Sequence, residues 1–123
     1  MDLGISGKTA IVCGGSKGLC RGSAEKLAEA GVNIILNARR EEPLRVAADE
    51  IAKRFGVEVT PVAGDVTTAE GRAKLLEAAP SPDILVTNAG GPPPGMWYEW
   101  GEEDWQNALR ANMLSPIYLI TAV

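Results

Sequence analysis

A chain of 123 residues has the length of one small domain with one core. Apolar residues make up 46% and charged residues 23%, which excludes a disordered chain, and a net charge of −4 excludes a broad electrostatic grip on nucleic acid or anionic lipid. With no histidine and only two cysteines, Cys13 and Cys20, neither a metal site nor a disulfide framework is expected.

Residues 1 to 8 read as a lead-in without the basic and apolar regions of a secretory leader. No apolar run is long enough to span a membrane, so a soluble, cytoplasmic protein is the expectation. Thr9 to Cys13 is short, apolar and ends at glycines, which predicts a buried strand. The stretch Gly14-Gly15-Ser16-Lys17-Gly18-Leu19-Cys20 follows, and a helix is expected from about Lys17 to Ala30, stopped by Gly31. A strand, a glycine-rich turn and a helix place a phosphate on the free N–H groups of a helix N-terminus. The glycines let the backbone turn tightly and approach the anion. This stretch therefore predicts a dinucleotide site.

Val32 to Ala38 is a second strand. Glu41, Glu42 and Pro43 open a second helix, whose apolar face is Leu44, Ala47, Ala48, Ile51, Ala52 and Phe55 and which Gly56 ends. Val57 to Ala63 is a third strand. Gly64 to Thr68 is a loop, with Thr67 or Thr68 capping a third helix that runs through Ala79. After Pro80-Ser81-Pro82, Asp83 to Asn88 is a fourth strand, and a glycine- and proline-rich loop covers Ala89 to Gly95. Trp97, Tyr98 and Trp100 either line a substrate entrance or pack as a local cluster. A fourth helix runs from about Glu102 to the end, with Trp105, Leu109, Asn112, Met113, Ile117 and Ile120 facing inward and Pro116 kinking it. Regular β-α alternation with short connections implies a parallel sheet with right-handed crossovers.

The second strand ends Asn37-Ala38-Arg39-Arg40. A site selective for NAD places an acid here for the ribose 2′-OH, whereas an arginine accommodates a 2′-phosphate. Asn37 is neutral, Arg39 offers a planar fork and Lys17 adds a point charge, so NADP(H) is the expected cofactor.

Four features in register carry a family resemblance: Gly14-x-x-x-Gly18 after the first strand, Asp65-Val66 after the third, Thr87-Asn88-Ala89-Gly90 after the fourth, and Asn112 in the fourth helix. The chain resembles the N-terminal half of a short-chain dehydrogenase/reductase, most of all the 3-oxoacyl-(acyl-carrier-protein) reductase branch. That resemblance implies an α/β, Rossmann-type doubly wound parallel sheet with strand order 3-2-1-4 over residues 1–123. It implies cofactor contacts at Gly14, Ser16, Lys17, Gly18, Leu19, Arg39, Asp65, Val66, Asn88, Ala89 and Gly90. Within that set Asp65 and the Val66 amide would meet adenine, and Ala89-Gly90 would let the ribose approach. Asn112 would be the helix asparagine of the catalytic tetrad, holding a water behind the catalytic lysine. The fourth helix would meet a neighbouring subunit in a homo-oligomer. Two positions depart from the pattern: Cys20 replaces the third motif glycine, where a side chain crowds the pyrophosphate, and Cys13 replaces the leading threonine.

The family's Tyr-x-x-x-Lys pair has no match, since Glu102 lies four after Tyr98 and Ala122 four after Tyr118. The resemblance thus implies the cofactor-binding half of an NADPH-dependent reductase, truncated before the catalytic segment, whose substrate is a small carbonyl compound or acyl thioester. The alternative is a nucleotide-binding or partner-binding module without turnover.

Overall fold

The computed structural model describes residues 1–123. In chain order the elements are β1 (Thr9–Val12), α1 (Gly18–Glu29), β2 (Asn33–Ala38), α2 (Glu41–Phe55), β3 (Val59–Ala63), α3 (Ala69–Ala78) and β4 (Ile84–Val86). A single 3-10 turn (Trp97–Glu99) precedes α4 (Glu102–Leu109), a π-helical segment (Arg110–Leu114) and α5 (Ser115–Ala122). All strands are parallel, in the order β3-β2-β1-β4, as the alternation and the resemblance predicted. The chain winds outward from β1 to β3 and then crosses back to β4. That reversal opens a crevice beyond the C-terminal ends of β1 and β4.

Both faces of the sheet are covered, which explains why its central strands are continuously apolar. Ala10, Val12, Ile34 and Leu36 pack against Ala24 and Ala28 of α1 and Leu44, Ala47, Ala48 and Ile51 of α2. Ile11, Cys13 and Ile35 point the other way, into a smaller core with Val62, Val66, Leu75 and Leu119. The period of two along β1 and β2 sorts these residues between the layers.

The free edge of β3 is blunted. Gly64 N–H bonds the Ala38 carbonyl and the Glu58 carbonyl accepts Ile34 N–H, so the odd-numbered residues of β3 face away from β2. Among these, Pro61 has no N–H to offer, and the Lys74 ammonium reaches over from α3 to the Ala63 carbonyl at 2.9 Å.

The last helix departs from the sequence expectation. It is not one α-helix, and its large apolar residues do not face inward. Trp105, Leu109, Met113, Ile117 and Ile120 are exposed, whereas Ala111, Ser115 and Leu119 are buried. Of the inward residues, Leu119 joins the smaller core with Ile11 and Leu75. The kink expected at Pro116 is instead a widened turn just before it. Pro116 has no N–H for the Asn112 carbonyl, and both the N–H and the hydroxyl of Ser115 bond Arg110 O, the hydroxyl at 2.7 Å.

Candidate functional site

One cleft of about 1020 Å³ opens at the C-terminal ends of the strands. All eleven cofactor residues nominated from the sequence line it, from Gly14 through Arg39 and Asp65 to Gly90. At its centre the chain turns from β1 into α1. Gly14 sits at φ +62°, and a Cβ there would stand 2.8 Å from Nδ2 of Asn88. No other residue type fits that turn without moving Asn88. Lys17 is the N-cap of α1 in extended conformation, rather than the first helical residue. It makes no side-chain cap, so the first-turn N–H groups of α1 face the cleft without a side-chain acceptor.

On the β2 side, Arg39 and Arg40 line the cleft next to Ala38, and no carboxylate stands at the strand end. Gly64 to Thr67, in the loop after the neighbouring β3, line the cleft beside it. The shape of this loop is set by short-range bonds: Asp65 Oδ1 accepts from Thr67 N at 2.9 Å and from Thr67 Oγ1 at 2.7 Å. Partial burial works against the Asp65 carboxylate, but the Thr67 hydroxyl and amide and the charge of Arg39 outweigh it and hold the group below the ordinary carboxylate range. Arg72 Nη1 holds the Val66 carbonyl at 3.0 Å. Thr68, rather than Thr67, caps α3 by accepting from Gly71 N at 3.0 Å.

Asn112 lies in the π-helical segment and does not line the cleft. Its Nδ2 donates to Ala108 O at 3.1 Å and reaches Gly90 O at 3.4 Å, tying the helix to the loop after β4. Cys20 lines the cleft and also packs on the α1–α2 core, so its side chain is only partly turned to the crevice. Cys13 is buried, and burial pushes its thiol up to about 11 although the Asn88 backbone N–H donates to it. The aromatic trio lies outside the cleft. Trp97 and Tyr98 are exposed and stack edge-on, and Trp100 packs edge-on against Trp105, so the trio divides into two separate pairs.

Several lining residues carried no signal in the sequence. Pro92 and Pro93 close the loop side, and Asp104, Asn107 and Arg110 form the far rim. Gly71 was also missed: a Cβ there would overlap the Asp65 backbone, so α3 needs glycine where it crosses the loop.

A sequence model described as short chain dehydrogenase matches residues 8–123. The chain belongs to the short-chain dehydrogenase family. Among its relatives, the uncharacterized oxidoreductase YvaG of Bacillus subtilis is 36% identical over 120 residues, which is 97% of this chain and 46% of that protein. The 3-oxoacyl-(acyl-carrier-protein) reductase FabG of Aquifex aeolicus is 32% identical over 98% of this chain and 50% of its own length. The crystal structure of L-sorbose reductase from Gluconobacter frateurii, complexed with NADPH and L-sorbose, superposes with a TM-score of 0.95 at 36% identity, covering 100% of this chain and 48% of that one. This short-chain dehydrogenase chain spans about half the length of the relatives it matches.

Proposed function

We propose that this chain supplies the cofactor-binding half of an NADP(H)-dependent reductase that converts a carbonyl to an alcohol. The observation that carries the reading is the strand-end charge pattern, with Arg39, Arg40 and Lys17 around one cleft and no acid beside Ala38. The first-turn amides of α1 receive the pyrophosphate, Arg39 and Lys17 neutralise the 2′-phosphate, and Asp65 with the Val66 amide meets the adenine. Asn88, Ala89 and Gly90 flank the nicotinamide ribose, and Asn112 holds the Gly90 carbonyl in place through its amide. When bound, NADPH supplies the hydride that reduces the carbonyl carbon. FabG points to a 3-oxoacyl thioester and L-sorbose reductase to a sugar, and a carbonyl substrate is common to both.

Arg39→Ala tests the cofactor assignment. It is expected to weaken NADPH binding by about ten-fold or more while leaving NADH binding within about two-fold, a difference of roughly 1.4 kcal/mol, readable by fluorescence titration. An equal loss for both would sink the 2′-phosphate role. NADPH binding without carbonyl turnover by the complete protein would favour the non-catalytic module.

The exposed Leu109, Met113, Ile117 and Ile120 support a homo-oligomer built through α4 and α5. Ile117→Lys is expected to lower the association state in sedimentation at equal concentration. An unchanged association state would exclude this face as the interface.

A further inference from the structure

Asn37 is a buried polar residue, 2% exposed, in a strand whose other residues are apolar apart from Asn33 at its start. Alternation along β2 points it to the face of Ile35, where Val62 and Val66 lie, and an apolar side chain would be ordinary there. Its Nδ2 donates to Val62 O at 3.0 Å and to Gly64 O at 3.2 Å. Its own carbonyl accepts Gly15 N–H at 2.9 Å. One residue therefore bonds the glycine-rich turn through its backbone and the start of the Asp65 loop through its side chain.

We propose that Asn37 is a positioning residue: its side-chain amide fixes the Gly64–Val66 loop relative to the glycine-rich turn and so sets selectivity for adenine. This rests on the dinucleotide reading above. The far half of the loop is held without it, by Thr67 on Asp65 and by Arg72 on Val66. The near half relies on Asn37 and on Gly64 N–H to Ala38 O at 3.0 Å. Only a group with two N–H donors serves both carbonyls at once. A leucine of similar size leaves Gly64 O unpaired, and the loop then swings outward to hydrate it. Asp65 moves with that swing. Its carboxylate only accepts, so in place it favours a base that presents an amino group over one that presents a carbonyl oxygen.

The test titrates wild type, Asn37→Leu and Asn37→Ser with NADPH and with its hypoxanthine analogue. Wild type is expected to prefer the adenine form by about ten-fold or more, since a paired donor lost from a polar site is costly. Asn37→Leu is expected to lose that preference with hypoxanthine affinity within about three-fold, and Asn37→Ser, with one donor, to fall between. If wild type binds neither nucleotide, the dinucleotide reading fails and the proposal with it. If wild type binds both alike, the Asp65 contact fails and overturns the proposal. If the variants keep the preference, or lose both nucleotides equally, the positioning role alone is overturned. Should Asn37→Leu not fold, amide exchange in folded Asn37→Ser decides: faster exchange at Gly64–Thr67 with β1 unchanged supports the role, and unchanged loop exchange overturns it.

Discussion

The thiol of Cys13, directly after β1, has no exposed surface, and burial holds its pKa near 11 against an ordinary value of 9.0. Between those values the folded chain keeps a proton that the unfolded chain has released. Stability is therefore fully present below about pH 9 and falls as pH rises toward about 11. Cys13→Ala is expected to flatten this part of the profile, a difference readable by urea unfolding of both proteins from pH 8 to 11, with tyrosine and lysine titration common to the two. Residues of this scale were unequally legible. Gly14, Lys17 and Arg39 stand out because a glycine turn and a basic strand end are local patterns. The work of the Asn37 amide is not local, since its acceptors lie 25 and 27 residues further along the chain.

Helix α3 crosses the loop that carries Asp65 so closely that Gly71 is required there. Gly71→Ala would raise helix propensity in isolation, yet the methyl group collides with backbone rather than with a side chain that can yield. The substitution is expected to destabilise the protein by about 2–3 kcal/mol in urea unfolding. A neutral or stabilising result would show that α3 can slide away from the loop. The α4–α5 unit carries the clearest misreading at this scale. Large apolar residues at helical spacing suggested a buried stripe, and the buried stripe is instead Ala111, Ser115 and Leu119. Leu109, Met113 and Ile117 each lie two residues before a buried one, about 200° around the axis, so the two stripes occupy nearly opposite faces. Hydrophobic spacing measures the presence of an apolar face and does not say whether that face meets the chain's own core or lies on its surface. The widened turn at Arg110–Leu114 adds a further rotation that Pro116 alone did not specify.

Across the whole molecule, β1 and β2 each have two strand neighbours and two covered faces, while β4 has one neighbour and three half-buried residues. Hydrogen exchange is expected to rank accordingly: amides of Ile11, Val12, Ile35 and Leu36 exchange last, and those of Leu85 and Val86 well before them. Simultaneous exchange of all four strands would mean that the sheet opens only as a unit. Strict alternation announced the parallel sheet and its right-handed crossovers, whereas the order 3-2-1-4 came from the family resemblance.

Pro61 and the Lys74 hook give the sheet a polarity across its width. The β3 margin refuses a new strand, for want of an N–H at Pro61 and because the Ala63 carbonyl is already engaged. A fibril grown by lateral strand addition needs two receptive margins per copy, so that each arrival leaves a fresh docking place. Lateral growth through β3 therefore stalls at the first arrival, on the flank of the sheet that carries the Asp65 loop.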